Sequence, residues 1–149
     1  MSESERMKIL VCVDLSDATE VIMQSTEKLA KQTSAKVRLL HNALPEPDKV
    51  EFKVDPIAAR EELAKRFHAE HRQVQGLAQR LRDAGIESNS LLVHGETVES
   101  ILREADDFDS DMIILGSHGK GRMFQLLLGS ISEGVLHKSE IPVLVIPTR

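Results

Sequence analysis

A parallel α/β fold, one sheet with helices on both faces, is the class this sequence predicts, and three observations carry it. Apolar runs of strand length recur five times, at Lys8–Asp14, Lys36–Leu44, Ile86–His94, Asp111–Leu115 and Pro142–Ile146. Stretches with helical spacing separate them. The first run, Ile9-Leu10-Val11-Cys12-Val13, is apolar at every position instead of at alternate ones. Strands alternating with helices call for right-handed crossovers, and continuously apolar strands call for a sheet covered on both sides.

The 149 residues suit one domain over 1–149, a size that removes about 70% of the unfolded surface from water. Residues 1–7 are polar and read as a flexible N-terminus. Asp14 ends the first strand, and Asp17 with Glu20 has the spacing of a capping box. Ala18, Val21, Ile22, Ser25 and Leu29 would form the inward face of the helix that follows. After the second strand, Pro45-Glu46-Pro47-Asp48 marks a mobile surface loop over 45–56. Leu63, Phe67, Val74, Leu77 and Leu81 keep helical spacing, which predicts a long helix over 57–84 ending near Gly85, with its charges as a solvated face. Helices over Thr97–Asp107 and Ser130–Lys138 complete the alternation.

Charge and composition exclude several function classes. A net charge of −5 lacks the basic surplus that gives proteins affinity for a nucleic-acid duplex. Trp and Tyr are absent, which removes the stacking platforms of single-strand binders. No apolar run approaches the ~20 residues needed to span a bilayer. The lone cysteine, Cys12, sits in an apolar run and fits a buried thiol in a reducing compartment, so cytoplasmic localisation is expected.

Two glycine clusters frame the segment Gly116 to Ser130 between the fourth strand and the last helix. Glycine lets successive N–H groups converge on an anion, and Lys120 and Arg122 would add charge. Ser130 and Glu133 have capping-box spacing, which puts a helix N-terminus directly after Gly129, although the Glu133 carboxylate would compete for the same donors. The plain alternative is a pair of turns and a capped helix. There is no Walker A loop, and Gly119-Lys120-Gly121 lacks the third glycine of a dinucleotide fingerprint.

Gly116-x2-Gly119-x9-Gly129-Ser130 resembles the G-x2-G-x9-G-[S/T] signature of the ATP-binding branch of the universal stress protein family. The likeness extends from Ile9–Ser16 through Val93-His94-Gly95 to Ile141–Ile146. It implies an adenine nucleotide alpha hydrolase-like fold, a five-stranded parallel sheet of order 3-2-1-4-5. It also implies ATP, with Mg²⁺ held through the phosphates near Asp14. The positions corresponding to the family's nucleotide contacts are Val13, Asp14 and Asn42, then Gly116, Ser117, His118, Gly119, Lys120, Gly121 and Arg122, then Gly129, Ser130, Ile131 and Ser132. Relatives commonly have an aliphatic residue where Asn42 follows His41. The apolar last strand would be an edge, and relatives pair through it, so a homodimer through Pro142–Ile146 is expected.

The resemblance implies a nucleotide-responsive regulatory or stress-response module. Two alternatives stand beside it: a slow ATP-hydrolysing or phosphotransfer enzyme, and a dimeric scaffold for another adenine nucleotide such as cyclic AMP. Ser117-His118 lacks a third group to orient the histidine, so no catalytic residue is assigned. His68 and His71 lie three apart on the long helix, but no ligand cluster completes a metal site, and they read as solvent-facing.

Overall fold

The computed structural model describes residues 2–43, 56–95, 97–117 and 128–148. A 3₁₀ turn at Glu3–Glu5 precedes β1 (Lys8–Cys12), α1 (Thr19–Thr33), β2 (Lys36–Ala43), α2 (Pro56–Asp83), β3 (Ser88–His94), α3 (Thr97–Asp107), β4 (Met112–Gly116), α4 (Ser130–Lys138) and β5 (Val143–Ile146). Every neighbouring pair is parallel, in the order β3-β2-β1-β4-β5. The expected sheet is therefore the observed one, and its strand order reverses between β1 and β4. Within the predicted loop 45–56 only Pro56 lies among the described residues.

Successive strand residues point to opposite faces, so continuously apolar strands feed two cores at once. On one face Ile9, Val11, Val37, Leu39 and Ile114 pack with Ile22, Met23 and Ala30 of α1 and Val74, Ala78 and Leu81 of α2. On the other, Leu10, Leu40, Ile113 and Leu115 pack with Ile101 and Ala105 of α3 and Val135 of α4. The two helices of this second layer approach closely: a Cβ on Gly134 would lie 2.9 Å from Val98 Cγ2.

The start of α1 differs from the reading of its sequence. Its N-cap is Ala18, with no side-chain cap bond, so the Asp17–Glu20 box does not form. Asp14 and Ser16 take over the turn instead: Asp14 Oδ1 accepts from Ser16 N at 3.0 Å and Ser16 Oγ at 2.5 Å, and Ser16 Oγ accepts from Ala18 N at 3.3 Å. Glu20 is drawn to α2, where Arg80 holds it at 2.7 and 3.0 Å. The bonds from the Arg80 guanidinium keep the Glu20 carboxyl below its ordinary range. The inward face is also rotated, to Ile22, Met23, Thr26 and Ala30, leaving Val21 41% exposed.

Helix α2 ends as its glycine predicts. Gly85 adopts φ +85°, Gly85 N bonds to Arg82 O and Ile86 N to Leu81 O, each at 2.9 Å, the paired bonds of a Schellman cap. Twenty-eight residues give α2 a length of about 42 Å, against about 26 Å for the eight residues of β2. Its buried residues, Val74, Ala78 and Leu81, lie in its later half, so its first turns extend past the carboxyl edge of the sheet. Its charges are not all solvated as expected, since Arg80 also reaches Glu27 at 3.0 Å and Arg82 donates to Ser88 O at 2.9 Å. No helix among the described residues is long and apolar enough to cross a membrane.

Candidate functional site

In a doubly wound sheet the crevice lies beyond the carboxyl ends of the strands, where their order reverses. Here that place is bounded by the ends of β1, β2 and β4 and by the start of α4. Ser117 organises it from beneath. Its N–H donates to Ile146 O at 2.8 Å, and its Oγ accepts from Thr148 N at 3.0 Å. Its carbonyl accepts from Gly129 N at 2.8 Å, which holds Ser117 beside the start of α4. His118, Gly119, Lys120, Gly121 and Arg122 lie outside the described residues.

Gly129 is the N-cap of α4, at φ −67° and ψ 158°, and makes no side-chain cap bond. Ser130 is thereby the first helical residue, and the Ser130–Glu133 capping box does not form. Glu133 instead gives its backbone N–H to Gly129 O at 3.0 Å and keeps its side chain exposed. A helix leaves its first N–H groups unpaired unless a cap takes them. Those of Ser130, Ile131 and Ser132 have no partner among the described residues. The Ser132 hydroxyl is already used, donating to Gly116 O at 2.6 Å. This serine ties α4 to the end of β4, leaving its backbone N–H as the group available to a ligand.

Across the crevice, Asp14 Oδ1 is occupied by the Ser16 bonds already described. Val13 continues β1 beyond its last ladder residue, with N bonded to Leu40 O at 2.9 Å. Its carbonyl lies 3.0 Å from Nδ1 of the buried His41, which must carry the proton there because a carbonyl only accepts. His41 Nε2 in turn lies 3.2 Å from Glu70 Oε2 on α2. Reading the sequence missed this bridge. Its partners stand 28 and 29 positions from His41 and leave no local pattern.

Asn42 follows on β2, opposite Val93 in the register. Leu40 belongs to the core beneath α3 and α4, so Asn42, two residues on, faces the side of the sheet from which α4 presents its N-terminus. Its Oδ1 and Nδ2 are both buried and have no partner among the described residues. Cys12 lies partly buried in the same layer, where desolvation pushes its thiol up to about 12. His68 and His71 are exposed, and no cluster of three metal-ligating side chains occurs among the described residues.

These features define a class: a doubly wound α/β domain with a helix start, uncapped among the described residues, at its switch point. The chain belongs to the universal stress protein family, whose family model matches residues 5–147. Universal stress protein MJ0577 of Methanocaldococcus jannaschii is 30% identical, with 95% of each chain covered. The structure of MJ0577 superposes with a TM-score of 0.80 at 29% identity over 96% of each chain. A universal stress protein from Archaeoglobus fulgidus, solved with dAMP, shares the fold at 22% identity, covering 94% of this chain and 97% of its own, with a TM-score of 0.61. Another, solved with cAMP, shares it at 20% identity over 97% and 98%, with a TM-score of 0.66.

Proposed function

We propose that this protein is an ATP-binding regulatory module, working as a nucleotide-responsive homodimer in the cytoplasm. The observation that carries the reading is the uncapped start of α4, with three N–H groups open beside the paired ends of the glycine segment. Phosphate oxygens suit those donors, and the positive end of the helix dipole adds to the attraction. The glycines and cations of Gly116 to Arg122 would complete the cradle. Asp14 is the carboxylate that would help to hold Mg²⁺ through the phosphates, since magnesium sites commonly combine one or two carboxylates with phosphate oxygens. Asn42 and the backbone near Val13 border the space left for the base. The relatives solved with dAMP and cAMP support the adenine class.

The reading is of a binder rather than a dedicated enzyme. Asp14, Ser117 and Ser132, the polar side chains nearest the crevice, are each engaged by groups of the protein itself. Edge strand β5, with Leu144 37% exposed, would pair with its counterpart in a second copy.

Denaturing freshly purified protein and identifying the released nucleotide by mass spectrometry tests the central claim, with titrations of ATP, AMP and cyclic AMP beside it. ATP is the expected occupant, and its affinity should rise with Mg²⁺. Failure of every adenine nucleotide to bind at millimolar concentration would remove the reading. A mass in solution equal to the 16.6 kDa monomer at micromolar concentration would remove the dimer.

A further inference from the structure

We infer that the Asn42 carboxamide is the group that selects the base, reading the 6-amino edge of a purine. The inference deepens the nucleotide reading above and rests on it. A buried polar side chain in a folded protein nearly always finds a partner, and leaving one without is costly. Asn42 leaves both Oδ1 and Nδ2 unmet. Thr19, Thr26 and Ser110 also carry buried hydroxyls without a partner. Asn42 differs from Thr26 and Ser110 in standing at the carboxyl edge, on β2 one residue from the strand's end, and from Thr19 in facing the α4 side of the sheet instead of the α1 side.

The carboxamide holds an acceptor beside a donor in one plane. Adenine offers the complement, an exocyclic N–H beside a ring nitrogen acceptor, and two-bond pairing of asparagine with that edge is a recurrent geometry in DNA recognition. The position agrees with this. Strands β2 and β4 are separated by β1 alone, so Asn42 lies about 10 Å across the sheet from the end of β4. A base seated at Asn42 would therefore send its ribose toward Gly116 and its phosphates toward the α4 N-terminus. An aliphatic residue at Asn42 would offer the base contact without selection, leaving backbone groups alone to read it.

The test compares ATP with purine riboside triphosphate, which lacks only the 6-amino group, in the unsubstituted protein and in Asn42→Val. The unsubstituted protein should prefer ATP by about tenfold, the discrimination expected of one two-bond pair. Asn42→Val should bring the two affinities together while keeping the phosphate-dependent part. After nucleotide removal, the same variant should melt at a higher temperature, because two unmet polar atoms give way to an aliphatic group suited to a strand. An unchanged preference in a variant that still binds ATP overturns the role of Asn42 and leaves the nucleotide reading intact. A lowered melting temperature overturns it too, since that marks the amide as structural. Absence of ATP binding by the unsubstituted protein removes both readings.

Discussion

The two edges of the sheet are built from the same strands yet treat their polar groups in opposite ways. At the amino edge nearly everything is matched: Lys36 pairs with Glu3 and, at 3.2 Å, with Glu87, while Arg6 bonds to Ser34 O at 3.1 Å. Lys8 N is taken by Asp111 Oδ2 at 2.9 Å. At the carboxyl edge the start of helix α4 is uncapped and both polar atoms of the Asn42 side chain are unmet among the described residues. Buried donors without partners are uncommon, and in open α/β sheets ligands bind beyond this edge. On the proposed function, the contrast separates the groups that hold the fold from those that would meet a nucleotide.

Ser130→Pro is the strongest way to break that contrast. Proline is accepted at the first helical position, and Gly129 already has the extended backbone required before it. The substitution deletes one open N–H together with the exposed Ser130 hydroxyl at the same helix start. Hydrogen bonds to charged groups are worth about 1.5–3 kcal/mol, so ATP affinity should fall by about tenfold to a hundredfold with an unchanged melting temperature. Calorimetric titration reads the first and a thermal melt the second. Unaltered affinity would move the phosphates away from α4.

Ser132→Ala should behave differently, because its hydroxyl serves the fold. Losing the 2.6 Å bond to Gly116 O leaves that carbonyl without this donor and should cost about 1–2 kcal/mol in denaturant unfolding. ATP affinity should fall less than in Ser130→Pro, since the Ser132 N–H remains. Lys36→Met at the opposite edge should have the smallest effect, a slight and salt-sensitive loss of stability with ATP affinity intact.

The pH dependence of the amino-edge cluster has a definite sign. Bonds to Glu3 and then Glu87 raise Lys36 above its ordinary 10.5, so its contribution is complete below that value and fades as pH rises through the folded one. Bonds from Lys36 and then Arg6 lower Glu3 below 4.5, so its contribution is complete above that value and fades as pH falls. Urea titrations of Lys36→Met and the unsubstituted protein should differ most between those limits and converge outside them.

Strand positions were legible in the sequence because continuous apolar runs are demanded by a sheet buried on both faces. Strand order came through the resemblance, since local patterns carry nothing about which strands become neighbours. Both capping boxes failed for one reason. A side-chain spacing proposes a cap, but tertiary bonds decide it: Arg80 draws Glu20 away, and Ser117 fixes Gly129 one position ahead of Ser130. The glycine signature marked the crevice, whereas the His41 bridge and the unmet Asn42 amide exist only once strands and helices are assembled.

Cys12 adds a consequence for how such a module would sense its surroundings. With its thiol pushed up to about 12 by desolvation, little of it carries the reactive thiolate at neutral pH. Peroxide, electrophiles and disulfide exchange all act through that form, so the chain's one sulfhydryl is close to silent toward oxidants. Iodoacetamide should leave it unlabelled until the protein unfolds, and a dimer of this chain should survive reducing agents unchanged.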